Sequence, residues 1–230
     1  MTIRLGVPSK GRLMEKTFDW FGARGLVLRK NGNDREYAGV VEGIDGVELA
    51  LLSAGEIPRE LAAGRLHLGV TGSDLVREKV AGWDLRLREL AHMGFGGADL
   101  VIAVPQSWVD VDTLDDLDAV AAAFRRNHGF RLRIATKYHR LTREFLREQG
   151  VADYQLADSQ GATEGVVRNE TAEAISDITS TGETLRANGL KILSDGMIHS
   201  SQATLFRSSN ADWSDRHRVT LDALEDKLGL

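Results

Sequence analysis

The chain has 230 residues and no cysteine, with 42% apolar residues, 27% charged residues and a formal net charge of -5. Disulfides, thiolate zinc sites and a cysteine nucleophile are therefore excluded. The acidic balance lacks the basic stripe of a duplex nucleic-acid binder, although a few cations can still gather around an anionic ligand.

The first residues, Met1-Thr-Ile-Arg-Leu-Gly6, lack the charged-then-apolar run of a secretion signal. Ile3–Val7 reads as a short strand broken by Pro8. Gly11–Arg24 carries Met14, Phe18 and Phe21 at helical spacing, and Gly25 stops it. Val47–Leu52 is a strand, and a short helix starts near Pro58 and ends at Gly64. His67–Thr71 reads as a buried strand and Asp74–Val80 as a helix.

Leu100–Val104 is a strand closed by Pro105, and this apolar run is far too short to cross a bilayer. Asp112 and Thr113 cap a helix carrying Leu114, Leu117, Val120, Ala121 and Phe124. Asp115–Asp118 reads as that helix's solvated acidic first turn. Arg131–Ala135 is a strand, Leu141–Gln149 a helix, and Tyr154–Ala157 and Ala174–Ile178 are further strands. Leu190–Ser208 holds two strand-like runs, and Trp213–Leu228 is a helix that returns to the first lobe. This alternation predicts an α/β protein with mostly parallel strands. Two lobes are expected, residues 1–96 plus 188–230 and residues 97–187. The crossovers fall near Gly94-Phe-Gly-Gly97, read as a hinge, and Ala187-Asn-Gly189.

Three segments can carry chemistry. In Asp177-Ile-Thr-Ser-Thr-Gly-Glu-Thr184 a strand ends in an acid, and hydroxyl residues and Gly182 lead into a short helix. Ser180 and Glu183 have capping-box spacing, so a capped helix start accounts for the pattern. The same geometry also cradles a phosphate. Backbone N–H groups converge at a helix start, Ser180, Thr181 and Thr184 add hydroxyls, and Asp177 can accept from sugar hydroxyls. In Val7-Pro-Ser-Lys-Gly-Arg-Leu13, Lys10 and Arg12 sit at a helix start, where cations oppose the dipole unless an anionic ligand binds. In Gly69-Val-Thr-Gly-Ser-Asp74, Thr71 and Gly72 lie at the C-terminal end of a strand, where open α/β sheets bind ligands. Ser73 or Asp74 also suits a plain N-cap. The histidines form no metal pattern; His67 and His199 read as structural and His139 as a surface residue.

These segments, with Ile134-Ala-Thr-Lys-Tyr138 and Leu141-Thr-Arg143, make the chain resemble the ATP phosphoribosyltransferase family, catalytic subunit of the short form. The resemblance implies two periplasmic-binding-protein-like lobes with the active site in the cleft. It implies attack of adenine N1 of ATP on C1 of 5-phosphoribosyl 1-pyrophosphate, with Mg2+ required. Asp177, Ser180, Thr181, Gly182, Glu183 and Thr184 would then bind phosphoribosyl pyrophosphate. Lys10 and Arg12 would meet the polyphosphates, Arg35 the leaving group, and Thr71, Gly72, Asp74 and Glu164 the ATP side. No protein metal ligand is expected, since magnesium would be held mainly through substrate.

Two features depart from the family pattern. Ser53 stands where many short members carry arginine, and Glu164–Glu170 lacks the usual Ala-Pro-rich sequence. The length resembles the short form. That form implies a separate regulatory subunit similar to histidyl-tRNA synthetase, a homodimer when isolated, a hetero-octamer in the cytoplasm, and no histidine sensitivity of the lone chain. Neither a nucleic-acid nor a membrane partner is expected. The competing readings are a non-enzymatic solute binder and a phosphoribosyltransferase acting on a free base.

Overall fold

The computed structural model describes residues 2–31, 38–159, 161 and 163–230. The chain divides into two units, Met1–Gly96 with Gln202–Leu230, and Gly97–Ser201. The first unit opens with β1 (Ile3–Pro8), α1 (Gly11–Gly22), β2 (Val27–Lys30), β3 (Ala38–Glu42) and β4 (Val47–Leu52). It continues through α2 (Ile57–Ala62), β5 (Leu68–Gly72), α3 (Ser73–Lys79), the single turn α4 (Trp83–Arg86) and β6 (Leu87–His92). The second unit holds β7 (Ala98–Pro105), α5 (Leu114–His128), β8 (Leu132–Thr136), α6 (His139–Glu148) and β9 (Tyr154–Asp158). A 3-10 turn (Thr163–Gly165), β10 (Ala174–Thr179), α7 (Glu183–Ala187) and β11 (Leu190–Ser201) complete it. Then β12 (Ala203–Ser208) and α8 (Asp215–Leu228) return to the first unit.

Among the described residues, the first sheet runs β2-β3-β4-β1-β5-β12-β6 and the second β11-β7-β10-β8-β9. The expectation of mostly parallel strands needs correction, because both sheets are mixed. β4, β1 and β5 are parallel, as are β10, β8 and β9. Antiparallel strands flank each core: β2 and β3 on one side of the first sheet, β12 and β6 on the other, and β7 and β11 in the second. Central β1 buries Ile3, Leu5 and Val7 completely. Each such side chain contributes about 1.5–3 kcal/mol. Edge strand β2, by contrast, buries only Leu28.

Sequence patterning missed β2, β3 and β6, which are short and buried at few or alternate positions. The second crossover also differs from expectation. Residues 190–201 pair with β7 from Leu190↔Pro105 to Ser201↔Ala98, so the chain stays in the second unit past Gly189 and leaves it after Ser201. The acidic turn of α5 does more than face water. Asp116 closes a capping box with Thr113, and Asp118 accepts a hydrogen bond from the N–H of Ala152 at 2.9 Å.

The C-terminal helix is fastened by imidazoles. The N–H of Arg4 donates to Nδ1 of His67 at 3.2 Å, so this ring carries its proton on Nε2, which donates to the Asp212 carbonyl at 3.1 Å. The same carbonyl accepts from Nδ1 of His217 at 2.6 Å, and the His67 ring packs edge-on against Trp213 and His217. His67 is thus structural, as its sequence context predicts. Burial pushes its imidazole below the ordinary value of 6.5. The unfolded chain therefore takes up a proton before the folded one does. The stabilising contribution is complete above pH 6.5 and is lost as pH falls through the folded value. Denaturant unfolding at pH 7.5 and 5.5 should show this loss, and His67→Gln should shrink the difference. An equal pH dependence in both proteins would refute the assignment.

Candidate functional site

β10 carries the sequence Ala-Ile-Ser-Asp-Ile-Thr, and its first four residues are buried. Asp177, 8% exposed, is a carboxylate in a strand otherwise lined by apolar and hydroxyl groups. An unpaired charge there costs several kcal/mol. Its partner is Lys137, just beyond the end of β8, whose Nζ lies 3.3 Å from Asp177 Oδ1. Oδ1 also accepts from the N–H of Ile178 at 2.8 Å. Parallel pairing of β8 with β10, Thr136 opposite Ser176, sets Lys137 beside the acid. Behind this pair the hydroxyls of Thr142 and Ser176, both fully buried, meet at 2.7 Å and tie α6 to β10.

The loop after β10 is closed by its own hydroxyls. The N–H of Gly182 donates to Thr179 Oγ1 at 2.8 Å, and the N–H of Glu183 donates to Thr181 Oγ1 at 3.3 Å. Gly182 is the N-cap of α7 with φ 70°, a left-handed conformation in which a Cβ would lie 3.0 Å from Arg186 Nη1. The Arg186 guanidinium folds back and donates to the Thr181 carbonyl at 3.1 Å. The capping box expected from Ser180 and Glu183 is not formed. The Ser180 hydroxyl instead donates to the Gly97 carbonyl at 3.2 Å, and Gly182 takes the cap position. The first N–H groups of α7 have no acceptor within the helix. That of Glu183 is held only by a hydroxyl, which a stronger acceptor such as a phosphate oxygen can displace.

Three parallel strands of this unit end together. Thr136 pairs with Asp158 and with Ser176, so Lys137, Asp158 and Asp177 share one end of the sheet. Asp158 Oδ1 lies 3.1 Å from Nε2 of His139. Half-buried Glu164 lies in the 3-10 turn that packs beside β10.

The first unit repeats the arrangement. β1 and β4 end in register at Pro8 and Leu52, and β5 runs parallel beside β1. Lys10 is the N-cap of α1 and Arg12 lies in its first turn, which contains no acid; both are exposed and neither has an ion pair among the described residues. Thr71 is fully buried and its hydroxyl donates to the Ala54 carbonyl at 2.8 Å, so this side chain braces the neighbouring turn. Gly72 serves as the N-cap of α3, so neither Ser73 nor Asp74 caps it; both are buried in its first turn. Ser53 donates both its N–H and its hydroxyl to Glu56, at 3.0 and 2.7 Å. The hydroxyl bond from Ser53 holds the Glu56 carboxyl below its ordinary range. Lys79 is the cation beside this turn, its Nζ 3.6 Å from where a Cβ on Gly55 would sit.

Each unit thus gathers its candidates at the C-terminal ends of its parallel strands: Lys10, Arg12, Thr71, Gly72 and Asp74 in one, Asp177 to Thr184 and Glu164 in the other. Arg35 lies outside the described residues. Sequence reasoning missed Lys137 as a site residue. The signal was its place directly after the β8 strand, in the same position that Asp177 occupies near the end of β10.

Known proteins match this chain closely. A profile of the family described as HisG: ATP phosphoribosyltransferase matches residues 53–228. An ATP phosphoribosyltransferase of Cereibacter sphaeroides is 75% identical over 230 residues, covering 100% of this chain and 97% of that protein. One from Bradyrhizobium sp. is 52% identical over 224 residues, covering 97% of this chain and 69% of the relative. Among solved structures, the ATP phosphoribosyl transferase (HisG:HisZ) complex of Thermotoga maritima aligns with a TM-score of 0.72 at 21% identity, over 99% of this chain and 97% of that one. A histidine kinase sensor domain with similarity to periplasmic binding proteins aligns with a TM-score of 0.53 at 13% identity, over 99% of this chain and 89% of that one. The two-lobed fold predicted from sequence is the one shared with these structures.

The hydroxyl pair behind Asp177 gives a test of the scaffold. Thr142→Val strands the buried Ser176 hydroxyl and should cost about 1–3 kcal/mol. Adding Ser176→Ala removes the stranded group and should recover part of that loss. Urea unfolding of Thr142→Val, Ser176→Ala and the double variant measures it, and additive losses would show that the pair is not coupled.

Proposed function

The chain belongs to the HisG family of ATP phosphoribosyltransferases, and from that premise we propose how its residues carry out the family reaction. ATP, through adenine N1, condenses with 5-phosphoribosyl 1-pyrophosphate to give N1-(5-phosphoribosyl)-ATP and pyrophosphate, the first step of histidine biosynthesis. The observation that carries the assignment of roles is the end of β10, where a buried, lysine-paired carboxylate is followed by a loop whose N–H groups rest on exchangeable hydroxyls.

The 5′-phosphate sits at Ser180 to Thr184, displacing the Thr181 hydroxyl from the Glu183 N–H and leaving that hydroxyl free to donate. Asp177 accepts from the ribose hydroxyls, and Lys137 fixes its orientation while lending charge to the anionic substrate. Lys10 and Arg12 take the polyphosphates, where substrate and cations together reverse the unfavourable placement of positive charge at a helix start. Arg35 assists the leaving pyrophosphate. Thr71, Gly72, Asp74 and Glu164 contribute to the ATP side, Thr71 by holding the Ser53–Glu56 turn.

Adenine N1 is a neutral nucleophile, and the transition state resembles an oxocarbenium ion with charge collecting on pyrophosphate. Catalysis then rests on alignment and electrostatic stabilisation, and less on a general base. Magnesium is part of the proposal. Among the described residues no three or more His, Asp or Glu side chains are grouped to hold a metal ion, and Asp158 and Asp177 already face His139 and Lys137. In this proposal the ion arrives on the pyrophosphate and keeps its ligands from substrate and water. Once bound, it neutralises charge on the leaving group.

The Thermotoga maritima relative is solved as a complex with HisZ. On that ground, and from the family resemblance, we assign this chain a separate regulatory subunit resembling histidyl-tRNA synthetase, with a homodimer in isolation and a hetero-octamer in the cytoplasm. Among the described residues no helix is long and apolar enough to cross a membrane.

The ultraviolet change on N1 substitution of adenine tests the reaction directly, with ATP, phosphoribosyl pyrophosphate and magnesium supplied. Asp177→Ala and Thr181→Ala should each raise KM for phosphoribosyl pyrophosphate by roughly tenfold, the loss of one charge-assisted hydrogen bond, with the fold retained by circular dichroism. Unchanged KM values would remove the loop from the site. In the same assay the isolated chain should keep its rate when histidine is added. Strong inhibition would place the histidine site on this chain and overturn the partner assignment.

A further inference from the structure

A second basic site lies in the second unit, away from the Asp177 loop. A cavity of about 570 Å³ opens between α6 and the outer strand β9. Arg131 reaches it from just before β8, and Arg143 and Arg147 from one face of α6. Tyr154, Val151 and Leu156 supply aromatic and apolar lining. The cavity sits at the starts of β8 and β9, whereas Lys137, Asp158 and Asp177 lie at or just beyond the other ends of these parallel strands. Five strand residues separate the two levels by about 13 Å along the sheet.

The charge here is uncompensated. None of these arginines has a carboxylate partner among the described residues, although Arg125, Arg133 and Arg140 of the same unit pair with Asp153, Glu173 and Glu144. Arg143 and Arg147 stand four residues apart, where like charges repel. Arg147 alone is explained as a cation in the last turn of α6, facing the negative end of the helix dipole. Arg131 and Arg143 have no such role. Arg143, Arg147 and Tyr154 line the same cavity; burial pushes the Tyr154 phenol up, while the two guanidiniums act on it in the opposite sense. The Tyr154 hydroxyl has no hydrogen-bond partner among the described residues.

We propose that this cavity binds a small phosphorylated metabolite, its phosphate held by Arg131, Arg143 and Arg147 and its organic body lying against Tyr154, Val151 and Leu156. Guanidinium forks match phosphate oxygens in pairs, and three of them suit a dianion better than a lone carboxylate. The volume is that of a pocket for one nucleotide-sized molecule, and a concave, partly apolar lining favours such a ligand over a long acidic chain.

The test uses the full ¹⁵N-labelled chain, titrated with inorganic phosphate, with uridine monophosphate and with a hexaglutamate peptide. Amide shifts are read at Gly150–Leu156 and at Asp177–Thr184. Uridine monophosphate should saturate the shifts at Gly150–Leu156 at least tenfold more tightly than phosphate. Arg143→Gln with Arg147→Gln should weaken that binding tenfold or more, and Arg131→Gln should do so with α6 untouched. Dispersed spectra, and a response at Asp177–Thr184 to phosphoribosyl pyrophosphate equal to that of the parent chain, confirm that the variants fold. Four results would overturn the proposal: no response at Gly150–Leu156, a response confined to Asp177–Thr184, equal affinity in the variants, or phosphate binding as tightly as the nucleotide. A response to hexaglutamate in place of the phosphorylated probes would make this a protein-docking surface and overturn it as well. Because the two sets of amides are read separately, failure here leaves the assignment of the Asp177 loop unaffected.

Discussion

A carboxylate placed in a nearly dry strand must find a countercharge, and much of the second unit follows from how Asp177 finds its own. Lys137 can serve only if β8 lies parallel to β10 and in register, because the amine sits one residue past the end of β8. The ladder between the two strands sets that register, and the Thr142–Ser176 hydroxyl pair ties α6 to β10 without a charge in the interior. The loop beyond Asp177 closes locally on the hydroxyls of Thr179 and Thr181. The Lys137–Asp177 pair is exposed on the lysine side, so its contribution to stability is small. Its weight lies in orientation, since Lys137 and the N–H of Ile178 hold the same carboxylate oxygen in place.

The two units reach the same solution by different residues. In both, parallel strands deliver side chains to one end of a sheet, and the helix or turn that follows presents its first N–H groups there. The first unit supplies cations at that end, Lys10 and Arg12, and no acid in the opening turn of α1. The second supplies a carboxylate and a hydroxyl-rich loop. The two ends therefore differ in charge, cationic in the first unit and carrying the lysine-paired acid in the second.

Much of this was legible in the sequence, for physical reasons that differ by element. Leu100–Val104 is buried on both faces and therefore reads as an unbroken apolar run. Thr113 is followed by Asp116 and then by a helical apolar stripe, so the cap and its helix announce each other. β2 and β3 are not legible, because strands of four or five residues that bury one or two positions leave too few apolar residues to show a period. The stop at Asn188-Gly189 looks the same locally whether it ends a helix or a lobe, and only the pairing of β11 with β7 distinguishes the two. Ser180 has capping-box spacing, yet its hydroxyl is taken by Gly97, a partner 83 residues away that no local pattern contains. Asp177 and the loop after it are one contiguous stretch and can be named together from sequence, whereas Lys137 comes beside Asp177 only through strand register.

The place of β12 has a consequence for how the chain folds as it is made. β12 lies between β5 and β6, and β6 pairs with no other strand among the described residues. The first sheet therefore stays open along one side until residue 208 has left the ribosome, although most of its strands emerge within the first hundred residues. The second unit is contiguous and has all its strands by Ser201. Vectorial synthesis thus favours completing the later unit first, with the earlier one waiting as an unpaired edge. A chaperone would meet the nascent chain at β5 and β6, and a slow stretch of translation after residue 208 would give β12 time to insert.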